Sequence, residues 1–214
     1  MQARYAIFKA AEALKQPFSQ VTRERIMKRF LKEMNLKGGE RVIDLGGLPK
    51  FWDEVPVPLD ITILNLPEAI PPKPTPSHHR ITLVAGDACQ TGYKDNSFDI
   101  AFSNSVIEHV GGPENQRRMA GEIRRLAPSY WVQTPSIWFP VEAHTNMPFW
   151  WFYPNPLKRW LIAGWERKLP AWCEMIKGTT VISQADMAKM FPDGAIWTER
   201  FAGFPKSTVV ARRR

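Results

Sequence analysis

The spacing of apolar positions changes several times along the chain, and each change marks an element. Tyr5, Phe8, Ala11 and Leu14 recur every three residues, and Ile26, Phe30 and Leu31 recur at helical spacing after Pro17. Residues 3–35 therefore predict two helices parted near that proline, with Lys37-Gly38-Gly39 ending the second. The run from Arg41 to Gly47 then reads as a short apolar strand entering a glycine turn, and LDITILNL, from Leu59 to Leu66, reads as a second strand. Residues 67–80, PEAIPPKPTPSHHR, hold too many prolines for a helix. Ile81 to Ala85 predicts a third strand, Phe98 to Ser103 a fourth and Tyr130 to Gln133 a fifth. Between the last two, Met119, Ile123 and Leu126 mark one face of a helix from about Glu114 to Leu126.

The end of the chain has another rhythm. Ser183 is placed to cap a short helix ending near Phe191, and Ala195 to Phe201 and Ser207 to Arg212 flank a tight loop containing Gly203. Strands alternating with turns and helices, then a closing hairpin, predict an α/β fold. The expected form is a Rossmann-like, mostly parallel sheet with a terminal antiparallel β-hairpin and an aromatic-rich insertion at residues 145–178. The 214 residues suffice for one such domain and little more.

Composition narrows the setting. With 44% hydrophobic and 23% charged residues the chain reads as globular and not disordered. Its two cysteines, Cys89 and Cys173, form no CxxC pair and read as free thiols, and no apolar run is long enough for a leader or a membrane span. A cytoplasmic location is the expectation. The net charge of +8 favours an anionic contact, although the basic residues are dispersed and include the tail Arg212-Arg213-Arg214.

Three polar positions follow three successive strands. Gly46 and Gly47 let backbone N–H groups approach a ligand with no Cβ in the way, and a structural turn would use them equally well. Asn65, ending the second strand, is placed to bond a ribose or to make a turn before Pro67. Asp87, after the third strand, is placed to accept from an adenine amino group or to cap a turn. Together with GDACQTGYKDNSFDIAFSNSVIEHV, residues 86–110, these residues make the chain resemble the class I S-adenosylmethionine (SAM)-dependent methyltransferases, in particular the type 11 small-molecule group. The resemblance covers roughly residues 40–135. It implies that Asp44, Gly46 and Gly47 hold the methionine portion of SAM, that Asn65 holds the ribose, and that Asp87 and Ala88 hold the adenine. Ser103, Asn104 and Ser105 would line the floor near the sulfonium. The chain departs from the group where Leu48 and Lys50 break the longer glycine pattern and where Asn65 replaces an acid.

Glu108 and His109 follow the fourth strand, on what the resemblance makes the acceptor side, while Glu142 and His144 follow the fifth. His109 or His144 fits a general base for an acceptor hydroxyl, with Glu108 beside it. Glu108, His109, Glu142 and His144 are also suitable ligands for a divalent metal. Methyltransferases of ubiquinone and small-RNA pathways that place ligands here have a further acid where this chain has Ser105, which weighs against a metal. A purely structural role for Glu108-His109 is the third reading. The insertion, TNMPFWWFYPNPLKRWLIAGW, places Trp150 and Trp151 as acceptor contacts with Glu142 and reads as a lid, as core, or as an interfacial segment in peripheral membrane contact.

The expected activity is methyl transfer from SAM to an oxygen or nitrogen of a small-molecule, glycan or lipid-linked acceptor. Two rivals make other demands. A nicotinamide-dependent oxidoreductase expects GxGxxG and an acid where this chain has GGLPKF and Asn65. A non-catalytic SAM- or nucleic-acid-binding module expects a clustered basic face, which the dispersed charge does not supply.

Overall fold

The structure, a computed structural model, describes residues 24–71, 77–142, 144–145 and 147–214. The three-residue repeat of Tyr5, Phe8, Ala11 and Leu14 lies outside them. Residues 24–34 form helix α1, whose Ile26, Met27, Phe30 and Met34 are buried as the spacing requires.

Seven strands follow: β1 (Arg41–Leu45), β2 (Asp60–Asn65), β3 (Arg80–Ala85), β4 (Ile100–Asn104), β5 (Ser129–Pro135), β6 (Ala195–Phe201) and β7 (Phe204–Arg212). They make one sheet in the order β3-β2-β1-β4-β5-β7-β6. The pairs among β1 to β5 are parallel, whereas β7 runs antiparallel to both β5 and β6. The order reverses between β1 and β4, and there the chain leaves the sheet in opposite directions and opens a crevice at the carboxyl ends of the strands. β4 begins two residues later than the apolar run suggests, because Phe98 and Asp99 spend their N–H groups on Leu126 and Arg41 before the ladder starts. Ala202 and Gly203, both with positive φ, make the turn that joins β6 to β7.

One face of the sheet is covered by α2 (Pro113–Leu126) and α5 (Gln184–Met190), through Met119, Ile123, Leu126 and Met187. Ser183 caps α5 as its position suggests, its hydroxyl accepting from the Asp186 N–H at 3.1 Å. The other face is covered by α1 and by Trp52, Phe102 and Trp131. The chain after β1 forms only a single 3-10 turn, Pro49–Trp52.

The insertion contains two helices that its crowded aromatics obscured: α3 (Asn155–Glu166) and α4 (Pro170–Gly178), each with a proline in its first turn. No residue of α3 is fully buried. Among the described residues no helix is long and apolar enough to cross a membrane.

Candidate active site at the carboxyl ends of the strands

Asp44, one residue from the end of β1, is 1% exposed. Its Oδ2 accepts from the Trp52 indole N–H at 2.8 Å, and its Oδ1 has no partner. Burial pushes the carboxyl up to about 7 against the opposing bond from Trp52. The glycine turn is shaped around this carboxylate. A Cβ on Gly47 would lie 1.7 Å from Asp44 Oδ2, and a Cβ on Gly46 would lie 2.6 Å from both methyls of Val106, at a φ of +80°. Both glycines are therefore dictated by contact, although the longer glycine pattern is absent.

The neighbouring strand ends tie into the same turn. Asn65 donates its side-chain amide to the Gly47 carbonyl at 3.0 Å, which leaves its own Oδ1 for another partner. Gly86 donates its N–H to the Asn65 carbonyl at 2.8 Å. Asp87 is exposed beyond β3, its Oδ1 accepting from the Cys89 N–H at 2.8 Å, and Ala88 is half-buried beside it. On β4, Ser103 is fully buried with its hydroxyl 3.4 Å from the Leu45 carbonyl. Asn104 Oδ1 and, opposite it on β5, Gln133 Oε1 are buried and unpartnered. Ser105 then takes a left-handed φ of +57° and donates its N–H to the Gln133 carbonyl at 2.9 Å, turning the chain out of the sheet. Buried polar atoms are normally satisfied. Three unpartnered acceptor oxygens, on Asp44, Asn104 and Gln133, at the carboxyl ends of adjacent strands fit a ligand that brings N–H donors.

Beyond this turn lies a second polar group, which continues from Val106 beside Gly46. Glu108 is fully buried; its Oε2 accepts from the Thr134 hydroxyl at 3.1 Å and its Oε1 has no partner. Burial pushes it up to about 7. His109 Nδ1 lies 3.1 Å from the Thr179 hydroxyl, which is itself donated to the Met175 carbonyl at 2.8 Å. That hydroxyl has one hydrogen, so His109 Nδ1 is the donor and Nε2 is the bare nitrogen. Burial, helped by the nearby His144, lowers His109 to about 4.

His144 Nδ1 lies 2.6 Å from Glu142 Oε1, while Glu142 Oε2 accepts the backbone N–H groups of His144 and Thr145 at 2.9 and 2.5 Å. Burial alone would raise Glu142, but its bonds with His144 and Thr145 outweigh this and hold it below its ordinary value. The two imidazoles meet edge to face with centroids 4.7 Å apart. The loops after β4 and β5 thus converge, as their order in the sequence suggests.

The insertion is anchored here at both ends. Trp172 of α4 donates its indole N–H to the His144 carbonyl at 3.0 Å, and Thr179, which caps α4, holds His109. Trp150 is 2% exposed and stacks obliquely near Tyr153 and Trp165, whereas Trp151 is half-buried. Trp150 is therefore the insertion's internal anchor as the chain stands, and Trp151 is the more accessible of the two. Sequence reasoning missed Trp52, Thr134, Gln133 and Thr179. Thr134 and Gln133 sit at the end of an evident strand and could have been found there; Trp52 and Thr179 are recruited by irregular segments with no period to reveal them.

A seven-stranded sheet of this order with one antiparallel strand, flanked by helices, is the fold of the SAM-dependent methyltransferases. Residues 60–129 match the family model of a methyltransferase domain, and this stretch holds the whole of the motif read at residues 86–110. A segment of 54 residues is 37% identical to Rv1509 of Mycobacterium tuberculosis, spanning 25% of this chain and 18% of that protein. The chain thus matches under a fifth of the length of that relative. Among solved structures, phosphoethanolamine N-methyltransferase 2 of Haemonchus contortus in complex with S-adenosyl-L-methionine superimposes with a TM-score of 0.54 at 12% identity, over 85% of this chain and 50% of that one. The N-methyltransferase NodS of Bradyrhizobium japonicum superimposes with a TM-score of 0.53 at 12% identity, over 92% and 96% of the two chains. At these identities the likeness is one of fold.

Proposed function

We propose that this chain is a SAM-dependent methyltransferase whose acceptor is a small-molecule, glycan or lipid-linked compound methylated on oxygen or nitrogen, within one domain spanning residues 1–214. The observation that carries the reading is the set of unpartnered acceptor oxygens of Asp44, Asn104 and Gln133 around a glycine turn at the point where the strand order reverses. Bound there, SAM would supply an electrophilic methyl group on its sulfonium.

The chain's residues have separate tasks. Asp44 and the turn of Gly46 and Gly47 hold the methionine end, with Asp44 Oδ1 facing its ammonium group. Asn65 Oδ1 accepts from the ribose, Asp87 and Ala88 hold the adenine, and Ser103 and Asn104 floor the transfer position. Glu108, His109 and His144 face the acceptor and activate it, with Glu142 orienting His144. The insertion closes over the acceptor as a lid. Its bonds to both histidines support this, because closure would exclude water and align the nucleophile. Trp151 and Glu142 border the acceptor's path.

Calorimetric titration of SAM and of its product S-adenosylhomocysteine tests the reading. Saturable binding of one equivalent, weakened at least about tenfold by Asp87→Ala in a folded protein, is the expected result. Unchanged affinity in that variant removes the adenine role, and no binding by the parent chain removes the function.

A further inference from the structure

We infer that Glu108, His109 and His144 together bind one divalent transition-metal cation, whose open coordination positions receive a hydroxyl oxygen of the acceptor.

The geometry starts from proximity. One ligand atom from each of the three residues lies within 4.8 Å of the other two. Two ligands on one ion at about 2.1 Å stand about 3–3.5 Å apart, so an ion would draw these in by about an ångström. His109 and His144 both lie in turns outside the helices and strands, where a local shift of that size keeps their Nδ1 bonds.

The second observation is which atoms of these side chains are already engaged. Each of the three residues has one polar atom already held: Glu108 Oε2 by Thr134, His109 Nδ1 by Thr179 and His144 Nδ1 by Glu142. Glu108 Oε1 and the two Nε2 nitrogens have no partner among the described residues. An imidazole fixed by a bond at one nitrogen and bare at the other is the arrangement that orients histidine ligands on metals, and the carboxylate–histidine pair of Glu142 and His144 is its strongest form. Glu142 is therefore a positioning residue and not a fourth ligand, which alters the four-residue set the sequence suggested.

The third observation is the cost of the site when nothing is bound. Glu108 is fully buried with an unsatisfied oxygen, a state that proteins avoid. A cation would discharge that cost. Two imidazoles and one carboxylate suit Zn²⁺ or Co²⁺ better than a hard ion such as Mg²⁺ or Ca²⁺, and three protein ligands leave positions open, as catalytic sites do.

This inference rests on the methyltransferase reading for its substrate, and it narrows that reading to oxygen acceptors. A hydroxyl bound to the cation loses its proton to water more readily. The resulting oxygen donates an electron pair to the methyl carbon, and the carbon–sulfur bond breaks with its pair staying on sulfur. The products are the methyl ether, S-adenosylhomocysteine and one proton.

The full chain, stripped by a chelator, would be titrated with Co²⁺ while visible absorption is followed, and with Zn²⁺ by calorimetry. S-adenosylhomocysteine binding is measured on the same samples. One equivalent should bind. Glu108→Gln, His109→Ala and His144→Ala should each weaken it about a hundredfold or more, and Glu142→Gln by about ten- to a hundredfold. S-adenosylhomocysteine affinity should hold throughout. If a histidine variant fails to fold, His144→Gln keeps the side-chain length and replaces it. Absence of stoichiometric binding, or binding indifferent to all four substitutions, overturns the inference. If S-adenosylhomocysteine still binds in that case, the methyltransferase reading stands, with His144 left as a base. If the metal binds and the nucleoside does not, the metal site stands and the function reading falls.

Discussion

Replacing Asp44 by Asn should abolish the pH dependence that this carboxyl imposes on the fold. In the unfolded chain Asp44 ionises at its ordinary value of 3.8, and in the fold burial holds it near 7. A carboxyl raised by folding favours the folded state fully below the lower value, and this advantage is lost as pH rises through the higher one. The slope is roughly 1.4 kcal/mol per pH unit between about pH 4 and 7, which accumulates to roughly 4 kcal/mol. Above that range the folded protein carries a buried anion with one bond, to Trp52, and one bare oxygen. The substituted amide would keep an oxygen to accept from Trp52 and would carry no charge at any pH. The assay is urea unfolding of the parent and Asp44→Asn at a series of pH values, with the difference between the two plotted. It should change by a few kcal/mol in favour of the variant as pH rises from about 4.5 to 7.5. A flat difference would refute the burial argument. The same variant should bind S-adenosylhomocysteine at least about tenfold more weakly, because the unpartnered oxygen that we propose to face the ammonium group loses its charge. Stability gained and affinity lost in one substitution would mark Asp44 as a residue kept for its ligand.

Two further predictions concern the turn and the sheet face behind it. Gly47→Ala should displace the Asp44 carboxylate, since the new Cβ would overlap Oδ2 at 1.7 Å; we expect a lower thermal midpoint and at least about a tenfold loss of S-adenosylhomocysteine affinity by calorimetry. Phe30→Ala should cost about 3–5 kcal/mol in urea unfolding, because Phe30 is fully buried with its ring against Trp52, Phe102 and Trp131, and a loss under about 1 kcal/mol would contradict that packing.

The sheet was legible where apolar runs are continuous. β1, β2, β3 and β5 are nearly where the runs place them: β1 and β5 are covered on both faces and so must be apolar along their length, whereas β3, at the sheet edge, buries no residue fully. The terminal hairpin was legible from its turn. The insertion was not. Most of its aromatics, Phe149 to Tyr153, precede α3 in and around a 3-10 turn, and only Trp160 and Trp165 lie within it, so they mark no helical face, and α3 buries none of its residues fully. Among the candidate site residues, the placement of His109 and His144 after successive strands was legible, but not how near they come: their rings meet with centroids 4.7 Å apart. What sequence could not supply was the division of labour between them and their carboxylates. That depends on which atoms Thr134, Thr179 and Glu142 already hold, and Thr179 arrives only at the end of α4.

The site and the core behind it are linked through one side chain. A parallel sheet needs cover on both faces. Here the connection after β1 makes only a 3-10 turn, and the described part of the connection after β2 makes another, Pro67–Ala69. The cover that crossover helices would give comes instead from α1 and from the volume of Trp52, Phe102 and Trp131. Trp52 packs its ring edge-on against Phe30 and Phe102, with centroids 5.8 and 5.1 Å away, while its N–H reaches Asp44. The residue that fills the gap left by a missing helix therefore also sets the position of the carboxylate at the glycine turn. Leu48 precedes that turn in an extended conformation and Lys50 lies within it after Pro49, so the residues that break the expected glycine pattern belong to the segment that brings Trp52 to Asp44. The departure at Leu48 and Lys50 is thus a change in how the turn is supported, with Gly46 and Gly47 placed where close contact leaves room for no other side chain.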